Sequence, residues 1–199
     1  MTSQTPPLLP RACRGLATLA LLFVLPVTQA QQPQQLEMCA ACHGPQGNSQ
    51  IAQIPSLAGQ PKLFLENQLV FIREGLRDIP QMKGLLDRVK DADLSVLASY
   101  FSSQKPARPS AMSPLNAETY QRGKETAHNM LCGTCHLPDF SGRQQIPRLA
   151  GQQETFLFDS MKQFRDHAGP GRDTIMSASL LGLKDEHLAD LAHFLAHFK

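Results

Sequence analysis

Two stretches of the chain place the same reactive side chains at the same spacing: Cys39-Ala40-Ala41-Cys42-His43 and Cys132-Gly133-Thr134-Cys135-His136. Residues three apart lie on one face of a helical turn, so both thiols of a motif can reach one edge of a flat macrocycle. The adjoining histidine then aims its ring at a metal in the centre. This is the chemistry of covalent haem attachment, two thioethers to the vinyl groups and an imidazole on the iron. Zinc sites and thioredoxin-type dithiols are the rivals of a single such motif. Zinc needs a fourth cysteine or histidine, and residues 31–103 hold no histidine besides His43 and no cysteine beyond the pair. A thioredoxin-type dithiol expects a βαβ surround, and short β-branched alternating segments are absent. The expected cofactors are two covalent haem c groups, held by Cys39, Cys42, Cys132 and Cys135, with His43 and His136 on the irons.

The motifs belong to an internal repeat. Ile54-Pro55-Ser56-Leu57-Ala58-Gly59-Gln60 recurs as Ile146-Pro147-Arg148-Leu149-Ala150-Gly151-Gln152, and Phe64-Leu65 and Arg73 recur as Phe156-Leu157 and Arg165. Met82 stands twelve residues before Leu94, as Met176 does before Leu188. Two copies of one unit account for this pattern. Methionine more often fills gaps in a core, but its occurrence at equal distance before the last helix of both units makes Met82 and Met176 the candidate far-side iron ligands. Met38 adjoins Cys39 on the attachment side. In the second unit Met130, Met161, His128 and His167 compete with Met176, which alone has a counterpart in the first. Histidine–methionine ligation raises the potential and suits the high-potential end of a respiratory chain. Pro55 and Pro147 are candidates to fix the two histidines, since a ligating imidazole usually donates its other nitrogen to a set acceptor such as a backbone carbonyl. Gln60 and Gln152 are read as partners for haem propionates, and His187, His193 and His197 as a solvated helix face.

The elements that must position these residues are helical. Phe64, Gln68, Leu69 and Ile72 share a face before Gly75, and Leu94, Leu97 and Phe101 match Leu188, Leu191 and Leu195 at three- and four-residue spacing. Asn116 stands where it can cap a helix leading into the second motif. The fold class is all-α, two tandem units of helix, loop, helix, loop, helix. The polar, proline-bearing stretch between them reads as a semi-rigid linker. The expected domains are 31–103 and 113–199, joined by 104–112.

Residues 1–30 read as a secretory signal, with Arg11 and Arg14 before the apolar run Leu16 to Val27 and small residues Thr28 and Ala30 at the cleavage positions. The run falls short of the roughly 20 residues a membrane span needs. Cleavage after Ala30 removes Cys13, two of the 19 basic residues and none of the 17 acids, leaving no net charge and no broad basic field for nucleic acid. The expected location is the periplasm.

On the two haem motifs, the paired Pro-x-Leu-Ala-Gly-Gln segments, the single methionine per unit and the final amphipathic helix, residues 31–199 resemble the cytochrome c4 family, dihaem proteins built from two class I cytochrome c domains. The resemblance implies a pseudo-twofold pair of domains whose haems exchange electrons. It also implies delivery to a terminal oxidase or shuttling from the cytochrome bc1 complex, with peripheral association at the membrane face. Two departures stand out. Gly123 lies where the family packs its first and last helices closely, but its counterpart is Ala30, which leaves the first helix of unit one short. Leu85 and Ser179 replace a second methionine. Three functions follow: a free electron carrier; the cytochrome subunit of a periplasmic oxidoreductase, such as a flavocytochrome sulfide dehydrogenase or a thiosulfate dehydrogenase; and a haem peroxidase. The third needs an open iron, which a methionine in each unit argues against.

Overall fold

The computed structural model describes residues 1–2, 35–110, 112–167 and 171–199. The expected signal beyond its first two residues, its cleavage point and Cys13 lie outside the described residues. From Gln35 onward the described chain is helical, with a single isolated bridge between Arg143 and Ile146 and no named strand. None of the described helices is long and apolar enough to cross a membrane.

The first half runs α1 (Gln35–His43), α2 (Lys62–Arg73) and α3 (Asp91–Ser103), with 3-10 turns at Pro45–Gly47 and Pro80–Met82. The second runs α4 (Ala117–Asn129), α5 (Cys132–His136), α6 (Glu154–Asp166), α7 (Thr174–Leu180) and α8 (Asp185–His197). Each half has its own apolar core. Leu94, Leu97 and Phe101 of α3 meet Leu36, Leu65, Leu86 and Val89 in one. Leu188, Leu191 and Leu195 of α8 meet Ala127, Phe140, Leu157 and Met161 in the other. Burial of each such leucine is worth about 1.5–3 kcal/mol, so the periodic leucines of the last helices anchor both halves.

Local chemistry explains the helix limits. The Asn116 side chain accepts the Thr119 N–H at 2.9 Å and caps α4. Leu131, in the left-handed region at φ 56°, separates α4 from α5, so the helix leading into the second haem motif is interrupted. Gly75, at φ 67°, takes the left-handed turn after α2. The two methionine segments differ. Asp173 accepts the Met176 N–H at 2.9 Å and starts a helix, and Ala178 continues it. In the first half Ile79 offers no capping oxygen and Gly84, at φ 81°, stands where Ala178 does, so only a 3-10 turn forms.

Arg73 and Arg165 do the same work in each half. Arg73 Nη1 donates to the Val89 carbonyl at 2.9 Å, and Arg165 Nη1 to the Leu183 carbonyl at 2.8 Å, tying the middle helix to the entry of the last. The connecting segment is strapped down rather than free. Asn48 accepts the Ala107 N–H at 2.7 Å and donates to the Lys105 carbonyl at 3.2 Å, Gln50 accepts the Ser110 N–H at 2.8 Å, and Met112 packs on the second core.

Helices α4 and α8 cross at Gly123, where an added Cβ would stand 2.0 Å from the Asp190 carbonyl oxygen. Beside it Arg122 holds the Asp190 carboxylate through two bonds of 2.8 Å. Gly123→Ala gains about 1 kcal/mol of helix propensity but overpacks the crossing, for a net loss of about 1–3 kcal/mol, read as a lowered denaturation midpoint. Acid should loosen the second half as well. Lys162 and then Arg165 hold the Asp185 carboxyl below its ordinary value of 3.8, and Arg165 does so for Asp166. A carboxyl depressed in the folded state stabilises above its unfolded pKa and loses that contribution as pH falls through the folded value. Asp185→Asn should therefore flatten the decline in melting temperature below about pH 4, a difference that salt diminishes.

Candidate haem sites

In the first half the final turn of α1 carries Cys39, Cys42 and His43. Cys39 is half-buried and Cys42 is exposed, and neither is in a disulfide. The His43 ring is 8 % exposed, and its Nδ1 lies 2.8 Å from the Pro55 carbonyl oxygen. In the second half α5 carries Cys132, Cys135 and His136 with the same burial pattern; the His136 ring is 7 % exposed and its Nδ1 lies 2.9 Å from the Pro147 oxygen. A carbonyl only accepts, so each Nδ1 carries the proton and each Nε2 keeps its lone pair. Burial holds both imidazoles below the ordinary histidine range, against the opposing pull of the proline carbonyls, which keeps them neutral.

The proline segments are held by the last helices. Gly59 N–H donates to the Phe101 carbonyl at 2.9 Å, and Gly151 N–H donates to the Leu195 carbonyl at 2.9 Å. The carbonyls that orient the histidines thus sit on a frame set by α3 and α8. Cys39 and Met82 are both half-buried against the first core, and Cys132 and Met176 against the second. Of the competing ligands, Met161 is buried within the second core, His128 and His167 are exposed, and Met38 is 37 % exposed.

Two expectations are corrected. Gln60 and Gln152 are buried, and their side-chain bonds go to backbone across the boundary between the halves, save that Gln152 Oε1 also accepts the N–H of its neighbour Gln153 at 2.9 Å. Gln60 Nε2 donates to the Arg148 carbonyl at 2.9 Å and its Oε1 accepts the Arg148 N–H at 2.9 Å. Gln152 bonds Ser56 in the same way, at 2.9 and 2.8 Å. These partners are nearly a hundred residues away, and no local pattern points to them.

His193 and His197 are buried rather than solvated, whereas His187 is partly exposed. The fold brings Glu154, at the start of α6, beside them, and the three sets of ligating atoms lie within 4.8 Å of one another. The hydrogen bonds do not suit a metal. His193 Nε2 accepts the Asn116 N–H at 3.0 Å, which places the ring proton on Nδ1, where it is donated to Glu154 Oε1 at 3.0 Å. His197 turns Nδ1 to the His193 carbonyl and Nε2 to the Ser113 carbonyl. The trio braces the segment before α4 against α6 and α8.

The sites fit haem c on their own features: a neutral imidazole with a free Nε2, two thiols one helical turn apart, and half-buried apolar side chains including Phe64, Leu69 and Ile72 in one half and Phe158 and Phe164 in the other. The Nε of Arg148 is buried with no hydrogen-bond partner, and the carboxylate of a haem propionate is the kind of acceptor it calls for.

Two such halves define a c-type cytochrome with two haem c groups. Residues 120–199 match the family model "Cytochrome c", and residues 30–101 match "Cytochrome C oxidase, cbb3-type, subunit III". The chain is 34 % identical to cytochrome c4 of Azotobacter vinelandii over 171 residues, 78 % of this chain and 81 % of that one. It is 30 % identical to the thiosulfate dehydrogenase electron acceptor of Thiomonas intermedia over 165 residues, 78 % and 76 % of the two chains. The crystal structure of reduced cytochrome c4 from Pseudomonas stutzeri superposes with a TM-score of 0.76 at 29 % identity, covering 83 % of this chain and 95 % of that one. The chain belongs to the cytochrome c4 family, and is an electron-transfer protein.

Because the His193 lone pair accepts the Asn116 N–H, the Glu154 carboxylate accepts from His193 and Ser113, and both His197 nitrogens face backbone carbonyl oxygens, elemental analysis of the holoprotein should find two irons per chain and neither zinc nor copper in stoichiometric amount. A stoichiometric second metal would overturn the reading of this trio as a brace.

Proposed function

We propose that the chain is a periplasmic electron carrier that takes one electron at each of two haems closed by protein on both faces. Cys39 and Cys42 hold the first haem, with His43 and Met82 on its iron. Cys132 and Cys135 hold the second, with His136 and Met176. The proposed domains are 31–103 and 113–199, with 104–112 between them. When bound, each haem supplies reversible one-electron chemistry at its iron. The side chains do the rest: the buried, carbonyl-fixed histidines hold one coordination geometry, the methionines favour the ferrous state, and the apolar walls keep water from the metal. The observation that carries this reading is the double occurrence of a proline-fixed histidine and a half-buried methionine on the same core.

Electrons would pass to a terminal oxidase or between respiratory complexes such as the cytochrome bc1 complex, with docking by local patches since the mature chain has no net charge. A second reading is favoured by the Thiomonas relative, a thiosulfate dehydrogenase electron acceptor: the chain is the cytochrome subunit of a periplasmic oxidoreductase of the flavocytochrome sulfide dehydrogenase or thiosulfate dehydrogenase type. Purification separates the two, because a carrier elutes alone and a subunit brings a catalytic chain with it.

An alkaline-pyridine assay should return two haems per chain, and near-infrared magnetic circular dichroism two methionine–iron bonds. Met82→Ala should lower the potential of one haem by on the order of 0.1 V, within the roughly 0.8 V that axial ligands span, and open it to carbon monoxide. Met176→Ala should do the same to the other. An unchanged spectrum in either variant removes that methionine as a ligand.

A further inference from the structure

The bonds made by Gln60 and Gln152 fall on particular peptide groups. The carbonyl of Pro55 accepts from His43 Nδ1 at 2.8 Å, and the N–H of the same peptide unit, that of Ser56, donates to Gln152 Oε1 at 2.8 Å. The Pro147–Arg148 unit repeats this: its oxygen faces His136 Nδ1 at 2.9 Å, and its N–H donates to Gln60 Oε1 at 2.9 Å. Each glutamine's Nε2 donates to the carbonyl of the residue whose N–H it accepts, which fixes the amide's orientation. Both side chains are 5 % exposed, so water does not compete strongly.

An amide is conjugated across its C–N bond, so an acceptor drawing on its N–H makes its oxygen a stronger acceptor. A stronger acceptor at Nδ1–H in turn makes the imidazole a more basic ligand through Nε2. We infer that Gln60 and Gln152 are crossed positioning residues, each setting, through one peptide unit, the donor strength of the haem-binding histidine in the other half of the molecule. Gln152 acts on His43, and Gln60 acts on His136. A more basic imidazole favours the ferric state, so both glutamines hold down the potential of the haem opposite. A bond made only to join the halves could fall on any exposed peptide. Here each of the two repeat-related segments selects, in the other, the one peptide group that touches the histidine. The inference rests on His43 and His136 ligating iron.

The test is a redox titration of the dihaem protein with the two haems resolved, paired with NMR of the histidine Nδ1–H in the reduced form. The parent must first show low-spin haems with histidine ligation. Failure there sinks the haem reading itself, and is seen before any glutamine is changed. Gln152→Met keeps the length and apolar bulk but removes both bonds to Ser56, together with the one accepted from the Gln153 N–H. It should raise the first-half potential by about threefold in the reduction equilibrium, about 28 mV at 59 mV per tenfold. The His43 Nδ1–H resonance should move upfield, with the second-half haem unchanged. Gln60→Met should give the opposite pattern. Gln152→Glu keeps an oxygen for the Ser56 N–H and should leave the first-half potential at or below the parent's. A shift in the haem of the substituted residue's own half, an equal shift in both, or none in either would overturn the proposal. Should Gln152→Met fail to accumulate with two haems, Gln60→Met and Gln152→Glu decide it by the same criteria.

Discussion

A histidine ring buried among apolar side chains must place its Nδ1 proton on a partner, because an unpaired polar group there costs a few kcal/mol. In both halves that partner is the carbonyl of a proline, an oxygen on a residue whose own backbone is stiff. The bond leaves one tautomer and one ring orientation, and so one free nitrogen aimed in one direction. Around it the remaining structure arranges itself. The last helix holds the proline segment through a glycine N–H, its leucines hold the core, and the middle helix is tied to it by an arginine reaching a backbone carbonyl.

The two halves share this frame and differ where it allows. A capping aspartate turns the second methionine segment into a helix, and Gly84 leaves the first as a tight turn. The second half also holds a brace, Glu154, His193 and His197, whose bonds reach back to Ser113 and Asn116 at the entry of α4. Among the described residues nothing equivalent stands in the first half, where the residues matching His193 and His197 are Ser99 and Ser103. The connecting segment is accordingly clasped on both sides, by Asn48 and Gln50 from one half and by α6 and α8 from the other.

Between the halves lies a pair of reciprocal glutamine clasps, buried and directed at backbone. Side chains that bond only backbone are indifferent to the identity of the residue they hold, which is why Ser56 and Arg148 can be chemically unlike and yet occupy matching positions. Electron-transfer sites gain from such rigidity, since a centre that moves little between redox states needs little reorganisation on each transfer.

Much of this protein was legible in its sequence. A covalent cofactor demands residues at fixed local spacing, so Cys39, Cys42 and His43 announce themselves, and duplication repeats the announcement at Cys132, Cys135 and His136. Helical periodicity is equally local, and it identified Leu94, Leu97 and Phe101 and their counterparts as core. The same locality explains the misreadings. Gln60 and Gln152 have cofactor-directed bonds as a natural reading until the fold sets each against a backbone nearly a hundred residues away. His193 and His197 look solvated until Glu154 and the segment before α4 close over them. Side-chain type and spacing along the chain determined which groups could bind haem. Tertiary structure alone decided which peptide groups face one another across the halves, because those contacts join residues that no short-range period relates.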